Sequence, residues 1–409
     1  MPTLSASVDL SCGRVRGRDG AYLGIPYAAA PLGERRWAPP APGPAWTGEL
    51  DALAPGPPPP QPRRPISQFA WGEIPPGDED CLYLNVWTPR CGSGPWPVLV
   101  WSIGGGFTVG WTGSGLDEGA LLANAAEIVV VNFSYRLGSL GWAFGNWGLL
   151  DHVAVLEWVR REIAAFGGDP ERVTVGGQSA GAAAVADLLV CPAADGLFAR
   201  AILHSPPLPE AANEPERRAR WERDLGVTRD TAAADVVARH EALLGDGEWR
   251  GTRGAAMPTL DAAVLPVSPL RAPGARIDVP VLAGTTRDEA TFLLRTAGRD
   301  APDEQVAELT SHLFAEPTQR WARERADAGG EVHLFRIDHS SPDPRLGALH
   351  TIDVPLLFGT FATSEVARHY VGDDDDTREV SGWMQARWGR FVHGERLDWP
   401  SGEVFVVGG

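Results

Sequence analysis

The sequence predicts an α/β fold with a mostly parallel central sheet flanked by helices. Runs rich in Val, Ile and Leu at 98–101, 128–133, 173–175, 201–203, 279–283 and 332–337 are apolar on both faces, as strands covered on both sides must be. Helix-prone stretches separate them. The run at 166–181, FGGDPERVTVGGQSAG, leads from a short β-branched strand into an Ala-rich helix through a glycine-flanked serine. At 409 residues, 44% hydrophobic and 22% charged, the chain can bury one large core. We read residues 1–409 as a single domain.

The elements follow in order. The first twenty residues lack a basic segment followed by an apolar one, so no signal peptide is expected. Residues 55–65 are dense in proline and read as an extended surface loop. The strand at 98–101 runs into Gly104, Gly105 and Gly106. Residues 151–165 carry Val155, Trp158, Val159 and Ile163 at helical spacing, with Arg160, Arg161 and Glu162 assigned to the outer face. The strand at 173–175 and a helix from 180 to about 190 enclose the serine turn. Residues 206–275 are polar and helix-prone, and read as a cap or insertion over the sheet's carboxyl edge. The four carboxylates at 373–376 read as a solvated loop with no metal-binding role.

The net charge of −17, and a cationic complement that is all arginine, argue against a nucleic-acid partner. No stretch of about 18 apolar residues offers a membrane span. Cys12, Cys81, Cys91 and Cys191 have neither the density of a disulfide scaffold nor a zinc-type C-x-x-C pair. The expectation is a soluble cytoplasmic protein, monomeric or homodimeric, acting on a small molecule without metal or organic cofactor.

Ser179, between Gly177 and Gly181, has the setting of a nucleophile elbow. A serine at a sharp strand-to-helix turn is exposed to substrate, and the following helix points its free amides and positive dipole end at developing negative charge. A serine hydrolase also needs a base, an acid to orient it and donors for the oxyanion. The glycine triplet can turn amides inward, so Gly105, Gly106 and Ala180 are the candidate oxyanion hole. Asp288 and Glu289 end the 279–283 strand region, and either can orient a histidine. Eight histidines follow Ser179. Of these His350 lies in a loop beyond the 332–337 strand, where a base reaching back over the sheet edge should sit, whereas His333 falls inside that strand. Ile103, Phe107 and Trp111, around the glycine loop, are candidates for the substrate pocket.

These residues resemble the type-B carboxylesterase family, α/β-hydrolases that include bacterial para-nitrobenzyl-type esterases, cholinesterases and neuroligins. The resemblance runs nearly end to end. It is carried by 166–181, by EDCLYLNVWTP at 79–89, by YLGIPYAAAPLGERRW near the start, by NFSYRLGSLGW at 132–142 and GNWGLLDHVAVLEWV at 145–159, and by MQARWGRFVHGERLDWP at 384–400. It implies an α/β-hydrolase fold with a reduced helical cap. It also implies a serine carboxylesterase acting through an acyl-enzyme, with Ser179 as nucleophile, Glu289 as acid, His350 as base from the pattern G-A-x-H, and the Gly105, Gly106 and Ala180 amides as oxyanion hole. Three departures stand out. Ser102-Ile103 precedes the glycine triplet where many bacterial relatives have histidine, Ser205-Pro206 replaces the usual Ser-Gly, and the chain is short between Glu289 and His350. Cys81 matches a cysteine that is disulfide-bonded in secreted members, with no second cysteine just upstream. Alternative functions are a lactone-forming, lactone-hydrolysing or cyclising enzyme on the same scaffold, and a non-catalytic binding protein.

Overall fold

The computed structural model describes residues 5–208, 214–244, 257–296, 298–299 and 301–408. The strands among them are β1 (Ser5–Leu10), β2 (Gly13–Arg18), β3 (Ala21–Pro26), β4 (Glu49–Asp51), β5 (Tyr83–Trp87), β6 (Trp96–Ser102), β7 (Val129–Phe133), β8 (Gly168–Gln178), β9 (Arg200–His204), β10 (Val281–Thr286), β11 (Val332–Ile337) and β12 (Val404–Val407). They form one sheet in the order β1-β2-β3-β5-β7-β6-β8-β9-β10-β11-β12, with β4 beside β2. From β7 to β12 every pairing is parallel, and β1, β2, β3 and β5 add an antiparallel flank.

The helices are α1 (Pro65–Trp71), α2 (Ala120–Ala126), α3 (Gly138–Trp142), α4 (Trp147–Glu162), α5 (Ala180–Leu188), α6 (Pro215–Leu225), α7 (Ala233–Leu244), α8 (Glu289–Thr296), α9 (Asp303–Thr310), α10 (Glu316–Asp327), α11 (Asp353–Phe358), α12 (Glu365–Val371) and α13 (Asp375–His393). They divide between the two faces because strand side chains alternate. Val98, Val100, Val173 and Val175 join one core with Trp158, Val159, Ala184 and Trp321 of α4, α5 and α10. Leu99, Trp101 and Val130 join the other with Leu122, Phe358 and Trp388 of α2, α11 and α13. Both faces are therefore dry, which is why these strands read as unbroken apolar runs.

Two local expectations are refined. Glu162 is buried instead of facing out, and it accepts the Ser11 amide at 2.9 Å together with the Ser11 hydroxyl. It ties the end of α4 to the β1-β2 turn. Within the acidic run, Asp374 caps α13 by accepting the Thr377 amide at 2.8 Å, and Asp373 pairs with Arg378 at 2.7 Å. Among the described residues no helix is long and apolar enough to cross a membrane.

Candidate active site

β8 and α5 meet at Ser179, whose backbone is held at φ 55 and ψ −124. A non-glycine residue there is strained, and it persists because neighbours over-determine it. The Ser179 amide donates to the His204 carbonyl of β9 at 2.8 Å, and its carbonyl accepts from Ala183 at 2.9 Å inside α5. The flanking glycines are demanded by close approach. A Cβ on Gly177 would lie 2.6 Å from the Gly181 backbone, and one on Gly181 would lie 2.2 Å from the Ser102 carbonyl oxygen. The bare flanks let β8, α5 and β6 converge.

The glycine triplet lies beside this turn, where a Cβ on Gly104 would be 3.2 Å from that of Ser179. Gly105 and Gly106 take φ of +115 and +60, values an L side chain resists. Their amides, and that of Ala180 in the first turn of α5, have no acceptor among the described residues. Support for the loop comes from behind. Tyr135 donates its hydroxyl to the Ile103 carbonyl at 3.1 Å, and Ser102 sits 2.8 Å from His152 of α4. His152 Nδ1 lies 2.7 Å from the Gly148 carbonyl, which can only accept. The imidazole proton is therefore on Nδ1, and Ser102 donates to Nε2. Burial pushes the His152 pKa down to about 4, so the ring is neutral at pH 7. Ser102 thus buttresses the loop through His152.

On the far side of the sheet edge, α8 begins at Glu289 just after β10, and His350 follows β11. His350 Nδ1 and Glu289 Oε2 are 2.5 Å apart, and both residues are almost wholly buried. Glu289 Oε1 accepts the Thr286 amide at 2.7 Å. Phe292 and Phe314 flank the imidazole, with ring centroids at 5.7 and 5.0 Å. His350 Nε2, left with its lone pair, accepts from Gln178 Nε2 at 3.0 Å. Asp288 faces elsewhere: its carboxylate accepts the Ala348 amide at 2.8 Å and pairs with Arg287 at 2.9 Å. Between the two adjacent acids, geometry selects Glu289 as the partner of His350. His333 stays in β11, near the Trp399 carbonyl at 3.2 Å and Glu331 at 2.9 Å.

Of the three candidate pocket residues, Phe107 lines a cavity with Ala183 and Asp187 of α5. Ile103 is buried in the core against its glycine loop, and Trp111 donates its ring N–H to the Gly56 carbonyl at 2.9 Å. Gln178, His152 and Asp187 were not singled out from the sequence. Gln178 adjoins the nucleophile candidate, and Asp187 is the one charged residue in an apolar helix, so each left a signal.

Residues 4–310 match the model of the carboxylesterase family. The chain is 33% identical to the para-nitrobenzyl esterase of Bacillus subtilis (strain 168), over 95% of this chain and 91% of that one. It is 34% identical to the phenmedipham hydrolase of Pseudarthrobacter oxydans, over 94% and 90%. Among solved structures, a thermophilic para-nitrobenzyl esterase superposes with a TM-score of 0.88 at 30% identity, covering 98% of this chain and 95% of that one. A carboxylesterase of Geobacillus stearothermophilus gives a TM-score of 0.82 at 30% identity, covering 98% and 96%.

Proposed function

The chain belongs to the carboxylesterase family and is a carboxylic ester hydrolase of the α/β-hydrolase fold, and on that premise we propose that it works through Ser179, His350 and Glu289. The observation that carries this reading is the buried Glu289–His350 pair, with the Nε2 lone pair directed to the residue adjoining a strained, glycine-flanked serine. His350 takes the Ser179 proton as the hydroxyl oxygen attacks the ester carbonyl, once the Gln178 amide has turned away from Nε2. The amides of Gly105, Gly106 and Ala180 hold the oxyanion, which suits three donors that have no acceptor among the described residues. His350 then protonates the leaving alcohol. Water repeats the sequence on the acyl-enzyme and releases the acid. Glu289 keeps the proton of the neutral imidazole on Nδ1 and stabilises the imidazolium that forms. Within one domain we assign the cap to residues 206–275, of which 209–213 and 245–256 lie outside the described residues.

The test is turnover of p-nitrophenyl esters of graded acyl length by wild type and Ser179→Ala. We expect the variant to lose about three or more orders of magnitude in kcat. A folded Ser179→Ala protein retaining wild-type turnover would overturn the assignment.

A further inference from the structure

The cavity lined by Phe107 and by the α5 residues Ala183 and Asp187 contains a group that the mechanism does not use. Ala183 and Asp187, four residues apart, share one face of α5, and Ser179 caps the N-terminus of that helix four and eight residues before them. Ala183 and Asp187, at 9% and 8% exposure, are the most accessible of the α5 side chains, and both line the cavity. Apart from Ser268 the other walls are apolar, including Phe107, Leu208, Met257 and Leu265, and Asp187 is the only ionisable residue among the lining residues.

Among the described residues nothing accounts for a carboxyl there. Among the described residues Asp187 has no hydrogen bond or ion pair to its side chain. It stands in the last turn of α5, where the helix dipole disfavours negative charge. Burial pushes its carboxyl well above the usual carboxylate range. A serine or asparagine would serve a neutral polar ligand without this cost. A carboxyl offers more than these when a cation arrives, because it gives up its proton and the pair it then forms is charge-assisted.

We propose that this cavity receives the basic end of the substrate, an ester carrying a primary amine whose ammonium group pairs with Asp187. The proposal rests on the reading of Ser179 as nucleophile. Eight residues of helix rise about 12 Å, and helical side chains lean back toward the N-terminus. The carbonyl carbon and the amine should therefore be separated by roughly six to eight bonds.

The experiment compares kcat/KM for two matched pairs of esters with wild type and Asp187→Asn. One pair is p-nitrophenyl ω-aminooctanoate against p-nitrophenyl nonanoate, and the other is ω-aminohexyl acetate against heptyl acetate. Within each pair the ratio of amine to alkyl ester is independent of how much variant folds. In one of the pairs, wild type should favour the amine by about tenfold or more, and Asp187→Asn should reduce that ratio by a similar factor. Calorimetric binding of octylamine to Ser179→Ala, lost in Ser179→Ala/Asp187→Asn, reads the cavity without turnover. Equal ratios in wild type and variant, or no octylamine binding, overturn the amine site while leaving the esterase mechanism standing. Wild-type turnover that survives Ser179→Ala overturns the mechanism itself.

Discussion

Glu289 illustrates how much one proton's position decides. The carboxylate facing His350 Nδ1 at 2.5 Å accepts a hydrogen bond, which leaves Nε2 free to accept. A Glu289→Gln side chain can keep its oxygen on the Thr286 amide only by turning its NH2 toward Nδ1. The imidazole proton then moves to Nε2, and the ring can no longer take a proton from serine. With size unchanged, we expect kcat on p-nitrophenyl esters to fall by about three to four orders of magnitude, with folding intact by circular dichroism. Wild-type kcat in this variant would remove Glu289 from the mechanism. Ser179 was legible from its motif, but the residues alone did not separate Asp288 from Glu289. The two differ only in which way the β10–α8 turn points them, and that is set by Asp288 accepting the Ala348 amide.

At the level of elements, the site is a junction of β6, β8 and α5 drawn tight enough to leave no room for a methyl group. Gly181→Ala would place a Cβ against the Ser102 carbonyl, so α5 has to back away and carry Ser179 and the Ala180 amide with it. A displacement of about 1 Å costs about a hundredfold in rate, so activity should drop at least that much while far-UV dichroism keeps its helical signal. An active Gly181→Ala enzyme would mean that α5 has more freedom than the packing allows. The need for bare flanks was readable from the motif, because any sharp strand-to-helix turn imposes it. The buttress from His152 was not, since Ser102 and His152 are 50 residues apart and meet only because α4 packs across β6.

Across the whole molecule, dry faces on both sides of the sheet leave some ionisable groups buried, and these set the response to pH. Burial pushes Asp117 up to about 7, and its Oδ2 has no hydrogen-bond partner among the described residues. Its folded pKa lies above the unfolded value of about 3.9, so the unfolded chain loses its proton first. Stability on this account is full below about pH 4 and declines as pH rises toward 7. Asp117→Asn should therefore be more stable than wild type at pH 8, by on the order of a few kcal/mol, and should lose that advantage at pH 4. Urea denaturation at the two pH values measures it, and an equal difference at both would refute the linkage. His152 acts in the opposite direction. Its folded pKa of about 4 lies below the unfolded value near 6.5, so its contribution is lost as pH falls through that window, and it has to be subtracted by comparing variants at one pH. By itself the sequence determined the α/β class, the parallel core and the serine elbow, because hydrophobic period and glycine-flanked turns are local properties. Tertiary structure alone decided the inward turn of Glu162, the buttress behind Ser102 and the isolation of Asp187 among the described residues, and it brought Glu289, the acid that the resemblance implied, to His350. Each of these depends on which distant segments the sheet brings within a few ångströms, and local spacing carries no record of that.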